Sequence, residues 1–339
     1  MQLMPYIMDA IFLGSLARET IINKKGEVFL DKPGGNLLYS SYACKLWEKN
    51  PALLSKVGIS FSEDWIDKIS HRGVNTAGIK RLPQDLEHRK FYFIDPSGQV
   101  ITEYPQKYFA EMGHPFPKIL LGYANQEKKL DSKHKCSKLT VKPDDIPIEY
   151  FDCRNLALCP LDFISHNLIT TEFRSKNNAR IFMHAGCGYM HYSFFNEVPA
   201  LMSGAELLFT SQRNAKDFFR GKIDDVWEML EFFSSFNIEI VIIQDDQKGT
   251  YLFLSSNKKK VFLPHYPVEI VDPVGFADAY FGGFVACYLK HFDPLIAAAG
   301  GAATASIKRE GSSADFLLDA LPELANARLE KLLSEIQFC

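Results

Sequence analysis

Short apolar segments alternate with helical patterns through the second half of the chain, and this alternation constrains the fold more than any other feature. The apolar segments have the length of buried strands and lie at residues 156–158, 181–184, 207–209 and 238–243. Longer stretches with helical spacing, such as residues 215–236, separate them. This order predicts a mainly parallel sheet covered by helices on both faces, with sites at the carboxyl ends of the strands.

The first half of the chain adds a strand, two helices and two hairpins. Residues 7–14 are typical of a buried strand, and residues 35–50 and 61–71 have helical periodicity. Alternating patterns around turns predict hairpins within residues 17–34 and 88–104. Two hairpins at these positions suit a small β lid over a substrate, and two ordinary surface hairpins are the alternative.

The composition limits the partners of the protein. Its 38 Lys and Arg residues against 41 Asp and Glu give a formal net charge of −3, so no overall field favours nucleic acid or an anionic membrane. No apolar stretch has the length of a membrane span, and the N-terminus lacks a signal-peptide pattern. We therefore expect a cytoplasmic protein. Its 7 cysteines are odd in number and form no C-x-x-C pair, which predicts reduced thiols.

The length of 339 residues and the 47% apolar content allow a single unit built on one large sheet. One segment does not fit that pattern. Residues 126–142 are rich in Lys, His and Ser, and this composition predicts an exposed polar insertion.

The best indication of chemistry is an acidic, glycine-punctuated loop that opens into an apolar helix at residues 271–284. Strand signals at 261–263 and within 268–271 precede it, so Gly275 to Asp278 are expected at a helix N-terminus. The unpaired N–H groups and the dipole of such an end favour a phosphate.

Asp278 would lie beside that phosphate, where its carboxylate can accept a proton from an attacking hydroxyl. The alternative from the same residues is an Asp that only caps a packed helix, with Gly282 and Gly283 allowing close approach to a sheet.

Several motifs together resemble the ribokinase or PfkB-type carbohydrate kinases. Residues 272–278, followed by Gly282-Gly283-Phe284, are similar to the D-T-x-G-A-G-D signature of that family. Residues 14–19 resemble its first strand and turn, and residues 33–36 resemble its diglycine before a helix. Further similar segments are 73–79 and 297–311. The resemblance implies a three-layer α/β/α ribokinase-like fold with a small β lid.

The resemblance also implies roles for particular residues. Asp278 would be the general base, and the backbone N–H groups of Gly275, Phe276 and Ala277 would form an anion hole. The implied substrate-binding residues are Glu19, Gly34, Gly35, Asn36 and Tyr39. The implied nucleotide-binding residues are Ser211, Gly249, Asp272 and Gly300. ATP and Mg²⁺ are the implied cofactors, and no metal ligand is assigned in the chain.

The sequence departs from the family pattern at the substrate and nucleotide motifs. Tyr39 replaces an Asn on the substrate side, and Phe276 and Ala277 replace Ala and Gly in the signature. Residues 211–214 lack the carboxylate of the family's N-x-x-E motif. Of the family's T-x-G-x-x-G motif only a glycine remains within 244–249, where two aspartates add negative charge that disfavours a triphosphate.

The first hypothesis is therefore ATP-dependent transfer of the γ-phosphate to a hydroxyl of a sugar or related small molecule. The alternatives are an impaired member that binds a sugar or nucleotide as a sensor or scaffold, and a nucleoside kinase. A dinucleotide-dependent oxidoreductase is disfavoured because no strand is followed by G-x-G-x-x-G. A zinc site within residues 184–191 is disfavoured because a fourth ligand is not evident. For the lid edges, the alternatives are pairing of two chains in a homodimer and solvated hairpin edges.

Overall fold

Two sheets organise the protein in the computed structural model, which describes residues 7–125 and 130–339. The strands in chain order are β1 (Ala10–Leu13), β2 (Ala17–Ile22), β3 (Val28–Gly34), β4 (Pro51–Val57), β5 (Asn75–Arg81), β6 (Arg89–Ile94), β7 (Val100–Ile101), β8 (Asn155–Leu158), β9 (Arg180–His184), β10 (Leu207–Ser211), β11 (Ile240–Asp245), β12 (Gly249–Leu254), β13 (Lys259–Pro264) and β14 (Gln337–Phe338). The large sheet has the order β14-β13-β12-β11-β10-β9-β8-β1-β4-β5, and the small sheet has the order β3-β2-β6-β7.

The central strands of the large sheet, from β11 through β10, β9, β8, β1 and β4 to β5, all pair in parallel. Antiparallel pairs occur only at the other edge, from β11 to β14. The carboxyl ends of the parallel strands therefore meet along one edge of the sheet, where ligand sites form in folds of this class.

Helices cover both faces of the large sheet. The helices in chain order are α1 (Asn36–Leu46), α2 (Glu63–His71), α3 (Pro105–Glu111), α4 (Phe163–Asn177), α5 (Val198–Met202), α6 (Gln212–Phe219), α7 (Val226–Ser234), α8 (Phe276–His291), α9 (Pro294–Arg309) and α10 (Pro322–Leu333). Of these, α3 packs against the small sheet. One apolar core joins α1, α8, α9 and α10 to one face, and a second core joins α4, α5, α6 and α7 to the other. Because side chains alternate along each strand, Phe182 lies in the first core and Met183 in the second. This three-layer arrangement confirms the predicted fold class.

The small sheet forms from the two predicted hairpins, β2–β3 and β6–β7, which join through parallel pairing of β2 with β6. It has a separate apolar cluster that includes Ile22, Phe91 and Phe109. The turn of its first hairpin also contacts a distant part of the chain, since the N–H of Lys24 donates to the carbonyl of Val271 at 3.1 Å. The small sheet is thus connected to the loop that precedes α8.

Two expectations from the sequence are wrong in part. Residues 268–271 form no strand. The outer edge of β13 pairs with β14, and the N–H of Val271 donates to the carbonyl of Arg309 at 2.8 Å. The segment 126–142 includes residues 126–129, which lie outside the described residues. It is exposed over much of the remainder, but it ends in the buried Thr140 and Val141, which pack at the start of α4.

Within the described ranges, no helix combines the length and the apolar character needed to cross a membrane.

Candidate active site

The loop before α8 places a helix N-terminus at the edge of the site. Gly275 is the N-cap residue with a φ of 77°, and a Cβ at this position would lie 2.5 Å from ring atoms of Tyr39. Both the left-handed backbone and this close approach require glycine. The Asp272 carboxylate fixes the loop by accepting a hydrogen bond from the N–H of Val274 at 2.8 Å.

The first turn of α8 has free hydrogen-bond donors. The N–H of Phe276 donates to the carbonyl of Pro273, and the N–H of Ala279 makes the first helical bond to Gly275. Between them, the N–H groups of Ala277 and Asp278 find no acceptor among the described residues. These donors, with the positive end of the helix dipole, can hold an anion.

Asp278 lies in this first turn with 18% of its side chain exposed. Its backbone carbonyl accepts a hydrogen bond from Ser40 Oγ at 3.0 Å, which connects the turn to α1. The Asp278 carboxylate therefore belongs to the same turn as the free N–H groups and is open to a ligand, as a general base requires.

His184 is a titratable neighbour of Asp278. It ends β9, and its Nδ1 atom lies 3.4 Å from Oδ1 of Asp278. Its ring packs edge-on against Phe209, with centroids 4.7 Å apart, and also contacts Phe281. Only 8% of the side chain is exposed, yet Nδ1 has no hydrogen-bond partner among the described residues. The side chain is therefore buried and rotationally restricted, with a free polar atom directed at Asp278.

A second side chain with unpaired polar atoms lies on the same face of the sheet. Gln244, near the end of β11, is buried, and neither its carbonyl oxygen nor its amide nitrogen has a partner in the described structure. Because buried polar groups are normally hydrogen-bonded, these atoms indicate that water or a polar ligand binds here.

The structure brings the predicted substrate-binding residues together, but it uses their polar atoms internally. Glu19 on β2 is 1% exposed, and its two carboxylate oxygens accept hydrogen bonds from the N–H of Gly35 at 2.9 Å and from the hydroxyl of Tyr39 at 2.7 Å. Gly34 lies so close to Glu19 that a Cβ would be 2.1 Å from its carboxylate. Burial raises the pKa of Glu19 to about 7.

Asn36 is also engaged within the protein. Its Oδ1 atom accepts from the N–H of Ser15 at 3.0 Å, and its Nδ2 group donates to the carbonyl of Pro160 at 2.7 Å. These bonds hold the start of α1 against the loops that follow β1 and β8. In the described geometry, the groups expected to bind substrate hydroxyls therefore stabilise the wall of the site.

The predicted nucleotide-binding residues are dispersed. Ser211 caps α6 by accepting from the N–H of Asn214 at 3.1 Å, and Gly249 packs against the carbonyl of Leu263 in the neighbouring strand. Gly300 is another of these residues. It lies inside α9, where a Cβ would be 2.3 Å from the sulfur of Cys287 in α8, so it serves the packing of two helices.

Two basic residues that the sequence did not single out lie beside the loop. The fully buried Lys308 ammonium contacts the carbonyl of Gly311 at 2.8 Å, and the carbonyl and carboxylate of Asp272 at 3.3 and 3.4 Å. Burial lowers the pKa of Lys308. A lysine at the end of an Ala-rich apolar helix was the available signal, because buried lysines are rare unless they are paired.

Arg309 is the other basic residue. Its guanidinium lies 4.2 Å from the ring centroid of Phe276 and donates to the carbonyl of Asp246 at 3.0 Å. Burial raises the pKa of Asp246, while the charge of Arg309 opposes that rise. Arg309 thus offsets part of the negative charge expected on the nucleotide side, a role that the sequence did not assign.

Within the described ranges, no three or more His, Cys, Asp or Glu side chains are grouped so that they could hold a metal ion.

The three layers, the strand order and the helix end beside Asp278 define an α/β/α protein of ribokinase-like fold. An Escherichia coli protein assigned as ribokinase II has a TM-score of 0.72 at 13% identity, covering 96% of this chain and 100% of its own. A Burkholderia thailandensis nucleoside kinase, solved in complex with inosine, has a TM-score of 0.65 at 15% identity, covering 95% and 96%. These similarities establish the fold.

Sequence comparisons support the same assignment. The family model for pfkB family carbohydrate kinases matches residues 182–321, a region that holds His184 and Asp278. The cytidine kinase of Thermococcus kodakarensis is 22% identical over 286 residues, which are 84% of this chain and 90% of that protein. These findings support the resemblance to the ribokinase/PfkB carbohydrate kinase family that the motifs indicated.

Proposed function

We propose that the protein transfers the γ-phosphoryl group of ATP to a hydroxyl of a sugar or nucleoside, with Asp278 as the general base. The observation that carries this proposal is the first turn of α8. There a partly exposed carboxylate stands beside the unpaired N–H groups of Ala277 and Asp278. Phosphoryl transfer needs both a proton acceptor and donors to the migrating group in one place.

In the proposed reaction, the acceptor oxygen forms a bond to the γ-phosphorus and the bond from that phosphorus to the bridging oxygen of ADP breaks. The hydroxyl proton passes to the Asp278 carboxylate as this occurs. The N–H groups of Ala277 and Asp278 stabilise the charge on the transferring group. His184, 3.4 Å from Asp278, orients the carboxylate from the side of the sheet.

ATP is the proposed donor because a neighbour with the same fold, the E. coli protein assigned as ribokinase II, has been solved in complex with ATP and Mg²⁺. When bound with the nucleotide, Mg²⁺ neutralises phosphate charge. Since the chain offers no metal cage within its described ranges, no further step is assigned to the ion.

A nucleoside is the first acceptor to test. The curated relative is a cytidine kinase, and two structural neighbours are nucleoside kinases from Methanocaldococcus jannaschii and B. thailandensis. Sugars remain in the proposal because another neighbour is the ribokinase of Thermotoga maritima.

The proposal is tested by measuring ADP formation from ATP and Mg²⁺ with cytidine, inosine, other nucleosides, ribose and other sugars. Acceptor-dependent ADP formation that Asp278→Asn abolishes, while ATP still binds, supports the proposed function. Turnover that persists in Asp278→Asn would remove the carboxylate from its assigned role.

A second candidate is a protein that binds a sugar or nucleotide without turnover. It is favoured by one specific observation, which is that the polar atoms of Glu19 and Asn36 are bonded within the protein. A binding protein of this kind would show ligand affinity by calorimetry and no ADP formation with any acceptor, and its ligand affinity would survive Asp278→Asn.

A further inference from the structure

A buried cluster of three charges and one ring lies beneath the proposed anion site. Glu19, Asp272 and Lys308 are each at most 1% exposed, and Tyr39 lies among them with its ring centroid 5.5 Å from the Lys308 ammonium. Buried charges are costly and persist where they have a partner or a task. This cluster therefore needs an explanation beyond packing.

The cluster connects four separate elements. Glu19 belongs to β2 of the small sheet, Tyr39 to α1 and Lys308 to α9, whereas Asp272 belongs to the loop before α8. The Tyr39 hydroxyl donates to Glu19, and the face of its ring supports the loop, because a Cβ on Gly275 would lie 2.5 Å from it. A change at Glu19 is thus passed to the loop through one rigid ring.

The charge balance of the cluster depends on Glu19. With Glu19 ionised, two carboxylates face one ammonium, and the buried cluster has a net charge of −1 by this count. With Glu19 protonated, the Asp272–Lys308 pair is balanced. The groups that face Glu19 are the Gly35 N–H, the Tyr39 hydroxyl, Asp272 and Lys308.

We propose that Glu19 is a positioning residue for the anion-binding loop, and that an anion bound at the start of α8 is accompanied by uptake of a proton on the Glu19 carboxylate. This rests on the proposed function only in taking that helix end as the phosphate site. A phosphoryl group adds negative charge above a cluster that is already negative, so its binding favours the protonated form of Glu19. By thermodynamic reciprocity, the protonated form in turn binds the anion more tightly.

The pKa of Glu19 is raised to about 7, chiefly by burial and also by Asp272, while the hydrogen bonds from Tyr39 and Gly35 and the charge of Lys308 act to lower it. Glu19 therefore gains and loses its proton near neutral pH, where ligand binding can be measured. The sequence had assigned this carboxylate to substrate hydroxyls, but both of its oxygens are occupied within the protein.

The test is isothermal titration calorimetry of ATP with Mg²⁺ at pH 7, in two buffers of different ionisation enthalpy. The difference in heat gives the number of protons taken up. Glu19→Gln keeps the size of the side chain and one acceptor oxygen, and it removes the charge and the titratable proton. Glu103→Gln, at an exposed position outside the cluster, is the matched control.

We expect proton uptake in the wild type and in Glu103→Gln that exceeds the uptake in Glu19→Gln. We also expect the wild-type Kd to weaken between pH 6 and pH 8.5 by about tenfold more than the Kd of Glu19→Gln, which corresponds to a change of about one pKa unit on binding. Protonation of the nucleotide itself is common to all three proteins. Equal proton uptake in the wild type and in Glu19→Gln overturns the proposal.

Absence of ATP binding would refute the kinase proposal. A second measurement then tests the proton uptake by Glu19 without ATP. Carboxyl ¹³C resonances of glutamate-labelled protein, assigned through Glu19→Gln, give the titration midpoint of Glu19 with and without inorganic phosphate. A midpoint near neutrality that phosphate raises supports the inference. A midpoint in the ordinary carboxyl range, or one that phosphate leaves unchanged, overturns it.

Discussion

Replacing Glu19 with Gln removes a carboxylate that becomes almost completely buried on folding, and the effect on stability should depend on pH. Burial raises the pKa of Glu19 from an ordinary value of 4.5 to about 7. This difference of about 2.5, at about 1.4 kcal/mol per pKa unit, corresponds to about 3 kcal/mol.

The direction of the pH dependence is set by whether the folded or the unfolded chain binds the proton of Glu19 more tightly. Below pH 4.5 the carboxyl is protonated in both the folded and the unfolded chain, and ionisation costs nothing. Between pH 4.5 and about 7 the unfolded chain ionises while the folded protein keeps its proton, so the free energy of unfolding falls as the pH rises. Above that range the carboxyl is ionised in both states, and the folded protein bears the full free-energy cost of burying the charge. Glu19→Gln has no such dependence.

The free energy of unfolding of Glu19→Gln, relative to the wild type, should therefore rise by about 2 to 3 kcal/mol between pH 5 and pH 8.5. Urea denaturation followed by circular dichroism at several pH values measures this difference, and Glu103→Gln should show none. A difference between Glu19→Gln and the wild type that is constant across this range would refute the assignment of a buried, proton-binding Glu19.

Three further substitutions test other parts of the account. Gly275→Ala, at a φ of 77° and above an aromatic ring, should lower the free energy of unfolding by about 2 kcal/mol and weaken ATP binding; normal stability and binding would show that the loop does not need glycine. His184→Phe should lower kcat about 10- to 100-fold with little change in KM, and His184→Asn, which keeps a donor beside Asp278, should retain more activity; equal losses in both variants would favour a purely structural histidine. Gly300→Ala should lower the free energy of unfolding by about 1 to 3 kcal/mol in urea denaturation and leave ATP binding unchanged, whereas selective loss of binding would support its assignment to the nucleotide side.

The fold could be predicted from the sequence because its main signals are local. The short apolar runs at 181–184 and 207–209 became β9 and β10, and the segment from Phe276 onward became α8, with Gly275 as its cap. Strand length, helical spacing and a glycine at a positive φ act within a few residues. The strand signals within residues 268–271 did not predict the structure, because the edge of β13 pairs with β14, which lies far along the chain.

The site was less predictable because its contacts are long-range. The sequence located Asp278, but the approach of His184 to it depends on how β9 and α8 pack. A polar Glu19 in a hairpin predicts an accessible ligand group, and only the tertiary structure places it under Tyr39. Similarly, Lys308 acquires its partners only when the loop at Asp272 folds over it.

The central claim is that Asp278 serves as the base of an ATP-dependent phosphotransferase. The most direct test measures ADP formation from ATP and Mg²⁺ across nucleosides and sugars, for the wild type and for Asp278→Asn under the same conditions. The account predicts turnover that requires an acceptor and falls by at least about 100-fold in Asp278→Asn while ATP binding persists. Absence of turnover with every acceptor, together with ligand binding that the substitution leaves intact, would contradict it.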